Sequence, residues 1–157
     1  MQMRPEIQIA SMLKAMKDVV IPALGSSNKL ATEQASLVVG MLHLMASQLP
    51  HQFRFDRDEL SRLIDTAKAL QDIRSTDAAA NAALAALTAQ RDAATGVLEE
   101  CQRDPADLKE SVRGLRKCVG DLVTALAHTG ESDNQLHVEK IVIDMSREQL
   151  LRDRSLL

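Results

Sequence analysis

Apolar residues recur every three or four positions along most of this chain, and that spacing predicts helices throughout. Pro5 suits the first turn of a helix. Behind it, Ile9, Met12, Leu13, Met16, Val19, Val20, Ala23 and Leu24 form a broad stripe, and Gly25 supplies a stop. The first helix is therefore expected over residues 5–24, with Pro22 bending its last turn or converting it to a looser one. Ser27 or Asn28 can cap a second helix that runs to Leu49, ahead of Pro50. That helix is apolar on most sides; only Glu33, Ser36, Gly40, His43 and Ser47 make a narrow small-and-polar strip. Such a pattern reads as the central element of a bundle, paired with the first helix as an antiparallel hairpin over 5–49.

Residues 50–55 read as a loop, with Asp56 and Glu59 as a capping box and Phe55 and Leu60 as a hydrophobic staple. A third helix over 56–74 buries Leu60, Leu63, Ile64, Ala67 and Leu70. The Ser75-Thr76-Asp77 triplet opens a fourth helix, with ten alanines between Ala78 and Ala94, that runs to about Gln102. Asp104 and Pro105 start a fifth, in which Leu108, Val112, Leu115, Val119, Leu122 and Leu126 make a heptad seam. Ala80, Leu84, Leu87, Arg91, Ala94, Leu98 and Cys101 match it, so residues 77–128 read as a long antiparallel hairpin ended by Gly130. Ser132 and Gln135 offer a further cap for a C-terminal segment over 133–157. Within it Lys140 to Asp144 could pass for a short strand, but a lone strand has no partner, and helix is the assignment. The expected fold is all-α: one domain of five or six mostly antiparallel helices.

Composition narrows the functions. Two Phe, no Tyr and no Trp disfavour sandwiches and barrels and remove the stacking platforms that single-stranded nucleic acid needs. With 19 Lys and Arg against 22 Asp and Glu, no basic surface for a duplex is expected. The longest uncharged stretch, Gln34 to Phe53, is broken by polar residues and two histidines, so no membrane span is expected. The N-terminus lacks the apolar core of a signal peptide, and two cysteines suit a reducing compartment. A cytoplasmic, bacterial-style protein follows.

Catalytic chemistry finds little support. No histidine has the Glu three residues before it that di-iron bundles use, no HExxH occurs, and no metal or cofactor is expected. The six glycines never form a phosphate loop. His43, mid-helix on the polar strip, resembles a phosphotransfer histidine, yet the Lys and Gly usual after it are Ala46 and Ser47. A partly buried structural histidine bonded to a neighbouring helix is the favoured reading. The segment His51 to Arg57 gathers both aromatics with Arg54 and Arg57 and could take an anion. Against this, Asp56, Asp58 and Glu59 repel one, leaving Phe53 and Phe55 to pin the loop and the arginines in solvent. Met12, Met16, Met41 and Met45 could line an adaptable apolar pocket, although at helical spacing methionines are more often plain core. A disulfide between Cys101 and Cys118 is not expected, because the hairpin sets them ~18 Å apart.

The opening Arg4-Pro5, then Met12-Leu13, Val19-Val20 and Ile21-Pro22-Ala23-Leu24, resembles an uncharacterised family of small all-helical bacterial proteins. Those are encoded near acyl-CoA dehydrogenases and small-molecule-kinase-like phosphotransferases. The resemblance covers roughly residues 4–65. It fails where that family carries an aromatic early in the second helix and an acidic-basic pair near its end; Ala35, Ser47 and Gln48 stand there instead. It implies a setting in acyl or organic-acid metabolism and a possible partner from it, and carries over no catalytic residue. The leading expectation is a non-catalytic accessory or interaction protein that forms a homodimer, through the Ala-rich face or the C-terminal segment. The alternative is a bundle that binds an acyl or organic-acid molecule, with Met41, Met45 and His43 in the pocket and His51 and Arg54 nearby. An enzyme using His43 or His51 is the third.

Overall fold

The structure is a computed structural model, and it describes residues 4–25, 28–100 and 103–155. Every element in it is helical, in the order α1 (Pro5–Ala15), a π turn (Met16–Val20), α2 (Ile21–Leu24), α3 (Lys29–Gln48), a 3-10 turn (Leu49–His51), α4 (Gln52–Ala69), a second 3-10 turn (Leu70–Asp72), α5 (Ala78–Glu99), α6 (Pro105–Ala127) and α7 (Ser132–Ser155). The all-α class is as expected. The chain divides into two compact units, one up to Gln52 and one from Phe53 onward.

The first unit is the N-terminal hairpin. α1, the π turn and α2 run as one continuous rod and pack along α3. Asn28 caps α3 by accepting from the Ala31 N–H at 3.0 Å; Ser27 lies outside the described residues. The looser turn expected near Pro22 is the π turn, in which the Ile21 N–H reaches back to the Met16 carbonyl. A proline clashes with the carbonyl four residues before it in a regular helix, and widening the preceding turn relieves that. The extra residue also shifts the helix phase. Inward positions run Ile9, Leu13, Met16 and then Ile21 and Leu24, while Val19 and Val20, expected in the buried stripe, face solvent.

In the second unit α5 and α6 form the long antiparallel hairpin. Asp77 and Asp104 cap them, accepting from Ala80 N–H and Ala106 N–H at 2.8 Å each. Ala80, Leu87 and Ala94 are buried on α5 against the six seam residues of α6; α4 adds Leu60, Leu63, Ile64 and Ala67 to the same core, and the 3-10 turn after it adds Leu70. Gly114 belongs to this close approach: a Cβ there would stand 2.4 Å from the Gln90 side chain. Val138 of α7 closes the core, so Leu136 to Met145 is helix. Cys118 is free and half-buried; Cys101, Leu156 and Leu157 lie outside the described residues.

Two local expectations fail. The loop over 50–55 does not exist: Leu49 and Gln52 keep helical φ values of -52° and -53° around Pro50, and α4 begins at Gln52. Pro50 sits in a first turn, where its missing N–H costs nothing. Asp56 is therefore a buried residue inside α4 and not a cap. The Ser132 and Gln135 cap is also unmade, because Gln135 Nε2 donates to the Leu126 carbonyl at 2.7 Å and ties α7 to the end of α6.

Candidate functional site

The hairpin presents the largest apolar face. Ala35 alone is buried on α3, and Ile9 is its buried counterpart on α1. Leu30, Leu37, Val38, Met41, Met45 and Leu49 are all exposed, with Leu30 at 67%, Leu37 at 60% and Met41 at 65%. At 3.6 residues per turn those six fall within an arc about 120° wide, one coherent stripe. α3 is thus not the enclosed centre of a bundle; it has one helical neighbour in its unit and an uncovered side.

This geometry separates the residues singled out for a pocket. Met41 and Met45 lie in the stripe. His43 lies on the far side of α3, exposed, with Nε2 2.9 Å from Lys17 Nζ. An ammonium has no lone pair, so it donates and Nε2 accepts. His51 is exposed in the 3-10 turn and Arg54 is exposed in α4.

A slot of about 1310 Å³ opens in the second unit between α4, α6 and α7, and none of those five residues lines it. Its apolar lining includes Leu63, Val119, Val123, Ile141, Val142 and Met145. Three hydroxyls along it are turned back on their own helices: Thr66 donates to the Arg62 carbonyl at 2.9 Å, Thr124 to the Gly120 carbonyl at 2.9 Å, and Ser146 to the Val142 carbonyl at 2.8 Å. The charged lining is five carboxylates (Asp58, Glu59, Asp65, Asp144, Glu148) and two guanidinium groups, Arg62 and Arg116. Both arginines are engaged: Arg62 with Glu148 at 2.8 Å and Asp58 at 3.4 Å, Arg116 with Glu59. The Arg62–Glu148 bridge joins α4 to α7 across the slot. Its partners are about half exposed, so it holds with at most about 1 kcal/mol.

Side-chain ties lie beyond the slot in both directions along α7. At one end Arg152 stacks 4.3 Å over the Phe55 ring, donates to the Phe55 carbonyl at 2.9 Å and pairs with Asp58 at 3.2 Å. At the other, Glu131 accepts from the Thr76 N–H at 2.9 Å, the Thr76 hydroxyl at 2.8 Å and Asn134 Nδ2 at 2.7 Å. Asn134 Nδ2 also donates to the Arg74 carbonyl at 2.8 Å. These donors, the Thr76 N–H foremost, hold the Glu131 carboxyl at about 2, well below its ordinary 4.5.

The sequence reading missed Arg152 and Glu131. Their partners lie 97 and 55 positions away, and no local pattern marks such pairs. It also left Arg57 in solvent. Instead Arg57 Nη2 donates to the Leu98 carbonyl in the last turn of α5 at 2.6 Å, a cation on the negative end of a helix. The two aromatics serve these arginines, Phe55 under Arg152 and Phe53 6.0 Å from Arg57.

Among the described residues no three His, Cys, Asp or Glu side chains gather to hold a metal ion, and no helix is long and apolar enough to cross a membrane. Comparison with protein-family models, with curated proteins and with solved structures finds no match for this chain.

Proposed function

We propose that this is a non-catalytic interaction protein that self-associates, two copies laying their N-terminal hairpins together as an intermolecular four-helix bundle. The observation that carries this is the α3 stripe. Among its described residues the hairpin buries Ile9 and Ala35 only, while ten large apolar side chains from Ile7 to Leu49 stand open. Two helices with so little between them gain too little burial to offset the entropy of ordering them. The six side chains of the α3 stripe offer on the order of 600 Å², most of the roughly 800 Å² that one partner brings to a standard interface. A coherent apolar patch of that size stands at the upper end of what a monomer exposes. A second copy meets it with an identical patch, the self-complementary arrangement of a two-fold dimer.

The helices first favoured for this role are less suited. α5 turns Ala80, Leu87 and Ala94 to its own core; α7 turns Val138 there and leaves Leu136, Ile143, Leu150 and Leu151 exposed, a smaller set than the six of α3. A cytoplasmic setting and a partner from acyl-CoA or organic-acid metabolism belong to the same proposal, on the N-terminal resemblance alone. Sedimentation equilibrium at micromolar concentration tests it. Twice the 17.2 kDa chain mass is expected, and a monomer up to hundreds of micromolar refutes it.

A further inference from the structure

We propose that the slot between α4, α6 and α7 binds one long aliphatic chain ending in an ammonium group. The inference rests on the second unit alone and does not depend on self-association.

Shape sets the first limit. α4 and α7 run antiparallel, since the pairs Phe55–Arg152, Arg62–Glu148 and Arg74–Asn134 rise on one helix as they fall on the other. The segment of α4 that lines the slot, Asp58 to Ala69, spans about 16 Å at 1.5 Å per residue. The Arg152 and Glu131 ties lie beyond its two ends. A helix of a partner protein would have to run out past those ties, whereas a flexible chain of dodecyl length lies between them. The volume, about 1310 Å³, exceeds what such a chain needs and is of the order of small-molecule sites.

Chemistry sets the second. The floor is aliphatic. Around it most polar groups are acceptors: five carboxylates, and the hydroxyls of Thr66, Thr124 and Ser146, whose protons are already given to their own helices; the Ser61 hydroxyl and the Gln149 amide, which donates to Asp153, complete the polar lining. The lining donors with charge, Arg62 and Arg116, are occupied by Glu148, Asp58 and Glu59. A carboxylate or phosphate head would meet five carboxylates and only cations that already have a partner. An alkylammonium brings a positive charge and three donors to a site that has carboxylates and lone pairs to receive them. Asp65 and Asp144, on opposite walls and exposed, are the carboxylates with the weakest existing ties, at 3.2 Å to Lys68 and 3.9 Å to Arg147.

The test is calorimetric titration of the full chain with dodecylammonium below its micellar concentration. Dodecyltrimethylammonium, dodecanoate and a basic amphipathic peptide run in parallel, and melting is followed in each. One saturable site per chain and a raised Tm are expected for dodecylammonium, with dodecanoate at least tenfold weaker and dodecyltrimethylammonium between them. The double variant Asp65→Lys/Asp144→Lys, altered only at exposed positions, should lower dodecylammonium affinity at least tenfold and narrow the gap to dodecanoate. Val123→Trp should block the chain itself and weaken all three amphiphiles. Non-saturable binding with a falling Tm, equal affinity for both head charges, or binding of the peptide without the amines overturns the proposal.

Discussion

Leu37 gives the sharpest probe of the hairpin surface. Leu37→Ala removes a side chain that is 60% exposed, so it disturbs little packing within the chain. Alanine is at least as good a helix former as leucine, so α3 is not weakened either. Most of any loss in dimer affinity must then come from contacts with a second molecule. Fully burying a leucine is worth about 1.5–3 kcal/mol, and the open fraction of Leu37 corresponds to about 1–2 kcal/mol per copy. A two-fold interface counts the residue twice, and the retained Cβ trims the total to about 2–3 kcal/mol per dimer. The dimer dissociation constant should therefore rise roughly 30- to 150-fold. Sedimentation velocity over a concentration series reads it, with urea melts of the dilute monomer expected to coincide with wild type. His43→Gln is the control: on the far side of α3, it should leave the dimer constant unchanged and cost under about 1 kcal/mol of stability. A dimer constant for Leu37→Ala within threefold of wild type refutes the stripe as the interface.

Other outcomes follow from the second unit. Leu115→Ala, at a fully buried seam position, should cost about 2–5 kcal/mol by urea denaturation, and a cost under about 1 kcal/mol would contradict the α5–α6 packing. Glu131 is held at about 2 in the native state against an ordinary 4.5, so its contribution is complete above about pH 4.5 and vanishes as pH falls through about 2. The urea-midpoint difference between wild type and Glu131→Gln should accordingly shrink across that window, and a constant difference counts against the tie. Burial pushes the Cys118 thiol up, with Asp121 adding to it, so alkylation at neutral pH should be much slower than in the urea-unfolded chain. Equal rates would show that Cys118 is open.

Regular spacing made most of the helices readable. The α5–α6 hairpin was legible because its seam is strictly periodic and both ends carry aspartate caps, one followed directly by proline. The hairpin of α1 to α3 was legible in extent but not in environment. An all-round apolar helix looks identical in sequence whether its last face is covered by its own chain or by another molecule. The start of α4 was misplaced because Asp56 and Glu59, three apart, satisfy a capping pattern that also occurs on any helix surface. The slot escaped notice altogether. Its lining is drawn from three helices, and an Ile or Thr that borders a cavity has the same local pattern as one that borders a neighbour.

The π turn bears on how the first helical rod can tolerate gain and loss of residues. An ordinary helix that loses one residue rotates everything upstream by about 100° and misaligns its inward face. Between Met16 and Val20 this rod already carries one residue more than a regular turn would, compensated so that Ile9, Leu13 and Met16 face the same way as Ile21 and Leu24. Excising Val19, an exposed residue there, would return the turn to regular spacing and leave both inward groups in phase. Pro22 would then meet the carbonyl that the wider turn keeps clear of it, so the excision should be accepted in a Pro22→Ala chain and resisted in the parent. Equal melting losses in the two backgrounds would break that link. The rod thus holds a single spare residue, and one proline decides whether it can be given up.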